Sequence, residues 1–472
     1  MSISKYIGKR GYTIYKECLS DEDLNWIKNN LIAKPRINGA PVQPPCFPIY
    51  FESTKKIYIP KFFGIDKFGD PDKILISDGE PISVKFNGTL RDYQKKIVDA
   101  YMLSVKSDIG GGLLDIPCGY GKTACALNII SRLSCRTLVV VHKSFLLDQW
   151  IERIQEFLPG ATIGRIQGNI IDIENKDIVI GMLQSLCMKR YNDDIFNLFG
   201  LVVVDECHHI PSEVFSRALL KIVTRYTLGL SATLTRKDGL TPILKMFLGE
   251  VVYKIKREAN SNVLVKTIQF TTNDYEFREV IYDYKQKPQY SSMITKLCNY
   301  KPRTEFIFKV INNELEIYPE QQILILGQNK SILIDLYKYI SEAGIYTTGY
   351  YVGGMKQDKL KESESKKIII ATYSMAAEGL DIKSLSTLVL VTPRTDIVQA
   401  VGRILRVKHK RPLIIDITDM HDIFNNQSKK RIAYYKKNNY IITKTNNIDY
   451  FKNKWENIEN KKKRVMKCNV IL

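Results

Sequence analysis

From about residue 86 the chain alternates short, uninterrupted apolar runs with longer amphipathic stretches. Leu113–Ile116, Thr137–Val141, Asp177–Gly181, Leu201–Val204 and Thr227–Leu230 are too short for helices. They are apolar on both sides, as strands of a parallel sheet buried on both faces are. The alternation resumes after residue 300 with Gln322–Leu326, Ile345–Tyr350, Lys367–Ala371, Thr387–Val391 and Pro412–Asp416. Helical stretches between the strands make each run an α/β unit, so the pattern predicts two such domains in tandem. Residues 259–302 read as the segment joining them.

The ends follow other rules. Asp21–Leu31 has helical spacing behind a Ser20 cap, with Asp23 three residues on. A proline cluster (Pro41, Pro44, Pro45, Pro48) leads into Pro48–Glu52 and Lys56–Pro60, two alternating stretches across a turn near Ser53–Lys55. Residues 1–85 are therefore read as a small α+β module that could bind nucleic acid. The domains follow at 86–258 and 259–425. The tail, 426–472, is basic and tyrosine-containing, with helical character in its first half.

Composition narrows the class. No run of 18 apolar residues occurs among the 472, so no membrane-spanning helix is expected, and Met1–Lys5 begins no apolar leader. Nine scattered cysteines without a Cys-x-x-Cys pair suggest reduced intracellular thiols rather than disulfides or zinc. The net charge of +20 is uneven: residues 401–472 hold 18 Lys and Arg against 6 Asp and Glu. A basic balance of this kind suits nucleic acid or an anionic membrane surface, or is a solubilising surface charge. The run Lys461–Arg464 is an import signal, a nucleic-acid contact or a solvated charge run.

The densest chemistry lies at Pro117-Cys118-Gly119-Tyr120-Gly121-Lys122-Thr123, followed by Ala124 and a helical run. Strand, glycine loop and helix in that order form a phosphate cradle. Backbone N–H groups at Gly119 and Gly121 can point at phosphate oxygens, and the helix start adds its positive end. Lys122 would reach the β- and γ-phosphates, and the Thr123 hydroxyl would ligate Mg²⁺. A nucleoside triphosphate and Mg²⁺ are thus the expected ligands. The loop departs from the usual spacing, with Ile116 where the first glycine would stand.

Asp205-Glu206-Cys207-His208 follows the strand Leu201–Val204. Asp205 is assigned to Mg²⁺ and Glu206 to polarising the attacking water. Ser231-Ala232-Thr233 follows the next strand, where Ser231 and Thr233 could bond the acidic block, together with His208, and relay nucleotide state. Gln399, Arg403 and Arg406 open a predicted helix in the second domain. Two guanidiniums three residues apart share a face and suit a γ-phosphate in transfer. Gln94, in Leu90–Gln94, could read both edges of adenine, with Arg91 alongside.

These blocks stand in the order of superfamily 2 helicases, which the chain resembles over residues 86–425; such proteins carry Pro-x-Gly-x-Gly-Lys-Thr at this loop. Val141–Ser144 with Leu147, Gln149 and Trp150 is similar to motif Ia, Ile180–Leu186 to motif Ic, and Ala371–Ile382 to motif V. Leu90–Gln94, Gln149-Trp150 and Ser231–Gly239 resemble the XPB-like DNA helicases, and the compact size resembles their large-DNA-virus members. The resemblance implies two RecA-like domains and makes the nucleotide ATP. It implies nucleic-acid contacts at His142, Lys143, Gln184 and Thr372, and places Gly379 and Asp381 with the nucleotide. It implies DNA, single-stranded and duplex, as the track of a monomeric 3′→5′ motor. That motor would serve viral transcription, with RNA polymerase as a partner, or repair and replication, and would work at cytoplasmic replication sites and in the virion. An RNA helicase, a translocase that separates no strands, and a non-catalytic nucleic-acid scaffold are the alternatives.

Overall fold

The computed structural model describes residues 4–36, 42–106, 109–117, 119–189, 191–192, 194–209, 212–234, 236, 238–255, 262–380 and 382–458. Cys118, Thr235, Lys237, Asp381 and Lys461–Arg464 lie outside them. The chain divides into two compact units, Met1–Lys256 and Arg257–Leu472.

Among the described residues the first unit holds three sheets, the shortest pairing only Ile32–Ala33 with Phe47–Pro48. In the five-stranded one, Phe51–Glu52, Lys56–Ile59, Gly11–Tyr15, Lys5–Gly8 and Lys73–Ile74 lie side by side in that order. The helix Asp21–Asn30 is capped as expected: the Ser20 hydroxyl accepts from the Asp23 N–H at 3.0 Å. Ile7, Tyr12, Ile14, Ile57 and Ile59 fill one face of this sheet and belong to the same core as Leu138, Val140 and Val202 of the larger sheet. Residues 1–85 thus share a core with the α/β domain behind them. The junction also buries Lys61, whose Nζ donates to the carbonyls of Thr224 (2.8 Å) and Arg225 (2.9 Å).

The larger sheet runs Ile170–Asp172, Ile163–Gln167, Ile178–Met182, Thr137–Val141, Leu201–Val204, Tyr226–Ser231, Gly110–Asp115, Val251–Lys254. Every neighbouring pair is parallel except at the Ile170–Asp172 edge. The five expected strands all occur, shifted by a few residues at their ends.

The second unit repeats the design in the order Thr348–Tyr351, Ile368–Thr372, Gln322–Gly327, Leu385–Leu390, Leu413–Asp419, Leu264–Phe270, Ile441–Asn446, Glu456–Asn457. Two readings are corrected here. The segment 259–302 is more than a joining segment: Leu264–Phe270 is an interior strand, paired in parallel with Leu413–Asp419 and Ile441–Asn446. The boundary at 425 falls inside the helix Asp422–Lys437, and the strand after it extends the sheet. Buried charge explains the integration. Arg431 Nε meets Asp416 at 2.8 Å, the Tyr435 hydroxyl donates to the same carboxylate at 2.9 Å, and all three groups are buried. On the helix Lys301–Ile317 Arg303 pairs with Asp419, neither side chain being accessible.

Candidate nucleotide-hydrolysis site

Strand order in the first unit brings the chemistry together. The glycine loop follows Gly110–Asp115, the Ser231 block ends its neighbour Tyr226–Ser231, and Asp205 follows Leu201–Val204. His142 follows Thr137–Val141, and Gln184 sits just beyond Ile178–Met182. All leave the carboxyl edge of one parallel sheet, where open α/β sheets place their ligand sites.

The loop has the geometry of a cradle. Gly119 and Gly121 take left-handed backbone angles, φ 88° and 77°. Gly121 caps the helix Lys122–Leu133, whose buried face is Cys125, Ala126, Leu127, Ile129 and Ile130. A methyl group on Gly121 would stand 2.3 Å from Gln94 Nε2, so glycine is required by space as well as by φ. Thr123 and Ala124 occupy the helix's first turn. Hard oxygen donors from a threonine and an aspartate suit Mg²⁺, which usually takes one or two protein ligands beside phosphate oxygens. The residues present therefore fit a nucleotide–magnesium pair.

Lys122 Nζ donates to Glu206 Oε1 at 2.8 Å, the two side chains being 12% and 11% exposed. Glu206 itself has φ 45°, an uncommon angle for a residue with a side chain. Its backbone N–H donates to Asp205 Oδ1 at 2.9 Å, while the Trp150 indole N–H donates to Asp205 Oδ2 at 2.9 Å. Desolvation pushes the Asp205 pKa up, Glu206's charge adds to this, and Lys122 and the indole oppose it. A divalent cation would hold Asp205 ionised.

Ser231 was expected to meet the acidic block's carboxylates; its hydroxyl instead lies 2.9 Å from His208 Nδ1 and accepts the Thr233 N–H at 3.1 Å. His208 Nδ1 is 3.3 Å from Glu206 Oε2, so the link to the carboxylate runs through the imidazole. Arg236, just after this block, donates to the His208 carbonyl.

Gln94 is buried, and its amide faces the backbone. Oε1 accepts from Arg91 N at 2.9 Å and Nε2 donates to the Tyr120 carbonyl at 3.1 Å, bracing the cradle. Arg91 is exposed, with Nη1 donating to the Tyr93 hydroxyl. His142 is also buried, its ring 4.1 Å from that of His209, which lies in turn 4.2 Å from that of His208, the two pairs tilted by 36° and 38°. Gln184 donates to the His142 carbonyl at 2.8 Å. Lys143 precedes the helix Ser144–Phe157 with its ammonium over Phe145.

In the second unit Thr372 ends its strand and lies 3.3 Å from the Ser374 hydroxyl. Arg403 Nη1 and Arg406 Nη2 each donate to the Leu380 carbonyl at 2.7 Å, joining the helix Val398–Arg403 to the end of the segment holding Gly379. Arg403 is buried; Arg406 and Gln399 are partly exposed.

Trp150's bond to Asp205, the cluster of three histidine rings and Arg236's hold on His208 were not anticipated. A tryptophan far along the chain from the carboxylate it serves leaves no spacing signal.

A phosphate cradle and an acidic pair on one RecA-like unit, followed along the chain by a second such unit, define a nucleoside triphosphatase of the motor type. The chain belongs to the superfamily 2 helicases and is an ATP-dependent helicase. Residues 87–236 match the family described as "Type III restriction enzyme, res subunit", and 306–408 match the "Helicase conserved C-terminal domain". The chain is 38% identical over 468 residues to a protein of Acanthamoeba polyphaga mimivirus named as an ATP-dependent RNA helicase, L396, covering 96% of this chain and 89% of that protein. It is 27% identical to a helicase-named protein, 161L, of Invertebrate iridescent virus 6, covering 76% of this chain and 84% of the other. The African swine fever virus protein QP509L, named as an ATP-dependent RNA helicase, is 27% identical over 75% of this chain and 74% of its own length. Among the described residues no helix is long and apolar enough to cross a membrane.

Proposed function

We propose that this chain is a DNA motor that couples ATP hydrolysis to 3′→5′ movement and strand separation, in viral transcript elongation and release or in repair and replication. The observation that carries the hydrolytic half is the Lys122–Glu206 pair at 2.8 Å, beside an Asp205 braced by Trp150. Mg²⁺, held by Thr123 and Asp205, would supply positive charge at the β- and γ-phosphate oxygens. Lys122 leaves Glu206 for phosphate, which frees the Glu206 carboxylate to take a proton from the attacking water. His208 senses that change at 3.3 Å and passes it to Ser231 and Thr233.

Arg406 is the guanidinium proposed to stabilise charge on the transferring phosphoryl group. Arg403, being buried, positions it through the Leu380 carbonyl they share. Arg406→Ala should leave ATP binding in place and lower turnover by about 10³-fold or more; turnover within a few-fold of the parent would remove the assignment. Lys143 and Thr372 are proposed as contacts to the track. A monomer working beside RNA polymerase fits this reading.

RNA is the second reading, favoured by the names of the mimivirus and swine fever virus relatives. Strand displacement on DNA and RNA duplexes with 3′ or 5′ tails, run beside nucleic-acid-stimulated ATPase, separates the readings. Displacement of 3′-tailed DNA is expected. RNA-only displacement would make the chain an RNA helicase, and stimulated ATPase without displacement a translocase.

A further inference from the structure

The small N-terminal sheet has a second face that the motor chemistry does not use. Antiparallel register places Tyr6 opposite Thr13, Thr13 opposite Tyr58 and Tyr58 opposite Phe51, so these four form one row across the sheet. The next row holds Tyr15 opposite Lys56. Alternation along the strands sends Ile7, Tyr12, Ile14, Ile57 and Ile59 to the other side, where they are buried. The helix Lys61–Phe68 packs there, with Gly64 pressed against Tyr12. Tyr6, Tyr15, Phe51 and Tyr58 remain partly exposed, and between the flanking rings Thr13 is covered to 1% exposure.

Cations are interleaved with these rings. Lys56 Nζ lies 4.5 Å from the Tyr15 ring centre and 5.3 Å from that of Tyr6, and meets the Tyr6 hydroxyl at 3.0 Å. The Arg10 guanidinium stands 5.6 Å over Tyr58. The turns that close the strands carry Lys9-Arg10 and Lys55, and Lys56 opens the strand that follows. Tyr6 leans along the sheet over Gly8: a methyl group on that glycine would come 2.9 Å from the ring. The glycine therefore lets the ring lie towards the sheet surface rather than stand off it.

A row of aromatic rings on an open sheet face, edged by lysine and arginine, is the arrangement on which successive bases stack while cations meet the phosphates. We propose that this face is a separate binding site for single-stranded nucleic acid of any sequence. Bases stack on Tyr6 and Tyr58, and Lys56 and Arg10 hold the backbone. The site lies outside both helicase-matched segments and would anchor the strand while the motor cycles.

The test uses the full chain with Tyr6→Ala, Tyr58→Ala and Lys56→Gln, and with Tyr58→Phe, which keeps the ring. Binding of fluorescent 20-mers of dT and of rU is measured over a salt series, beside a DNA duplex, basal ATPase and thermal melting. Each Tyr→Ala change should weaken single-strand binding about tenfold. Lys56→Gln should weaken it and lower the salt slope by about one. Tyr58→Phe and basal ATPase should match the parent. The DNA and RNA arms report which strand is preferred; either preference supports the site. Single-strand affinity within twofold of the parent in both Tyr→Ala variants would overturn it, as would an equal loss on duplex. If the parent's ATPase fails to respond to any nucleic acid while the Tyr→Ala variants still lose binding, the motor reading falls and this site stands.

Discussion

The Lys122–Glu206 pair makes a quantitative claim about nucleotide affinity. If Lys122 must leave Glu206 to reach phosphate, the pair competes with ATP, and removing the carboxylate's charge should tighten binding. Glu206→Gln isolates that charge. Glutamine has the same length, meets the same cost at φ 45° and can still accept one bond from Lys122. Two unit charges at 2.8 Å attract by about 1.5 kcal/mol under full water screening and about 6 kcal/mol at an effective dielectric of 20. Exposure of 12% and 11% places the pair between these limits, and hydrogen bonds to charged groups net about 1.5–3 kcal/mol. The residual neutral bond to glutamine offsets part of this, leaving about 1.4 kcal/mol, or a tenfold gain in affinity. Titration with a fluorescent non-hydrolysable ATP analogue in excess Mg²⁺ reads it directly, and the gain should shrink as salt rises. ATPase should fall by about 10²-fold or more with loss of the base. Unchanged or weaker analogue binding, with ATPase lost, would refute the competition and leave Glu206 a base alone.

Three further outcomes follow from neighbouring contacts. Trp150→Phe removes the donor to Asp205, so half-maximal ATPase should need about tenfold more Mg²⁺, with the maximal rate regained in excess Mg²⁺; an unchanged Mg²⁺ requirement would show the indole does not steady the metal site. Arg431→Met strands the buried Asp416 carboxylate and should cost about 3–5 kcal/mol in chemical denaturation, much of it recovered when Asp416→Leu is added; no recovery would mean that packing, not charge, is lost. Burial pushes Lys61 from its usual 10.5 down to about 7. The unfolded chain keeps that proton up to the higher value, so stability should rise with pH across that window relative to Lys61→Met. Melting of both proteins at pH 7 and pH 9.5 checks the sign, and a flat difference would mean Lys61 stays charged in the folded state.

Much of this was legible along the chain because it depends on local order. Apolar runs between helical stretches predicted the two parallel sheets, and the glycine loop, Asp205-Glu206 and the arginine helix stood out because strand–loop–helix chemistry is contiguous. The Ser20 cap is likewise a matter of three residues. Gln94 stood out through its motif, whereas the bonds of its amide to Arg91 and Tyr120 are set by how one helix seats against the loop.

What periodicity and spacing indicated by themselves is a tandem α/β chain with a glycine loop, an acidic pair and an arginine pair, since each is written within a few consecutive residues. What only the tertiary structure decided is which distant groups complete them. Trp150 reaches Asp205, His142 turns inward onto His209, and Leu264–Phe270 becomes an interior strand. Arg431 draws the basic tail into the second core, and four rings from different strands align on one face. Such pairings follow from sheet order and register, which set neighbours across strands, and a buried charge or ring takes its partner from whichever strand the fold has placed beside it.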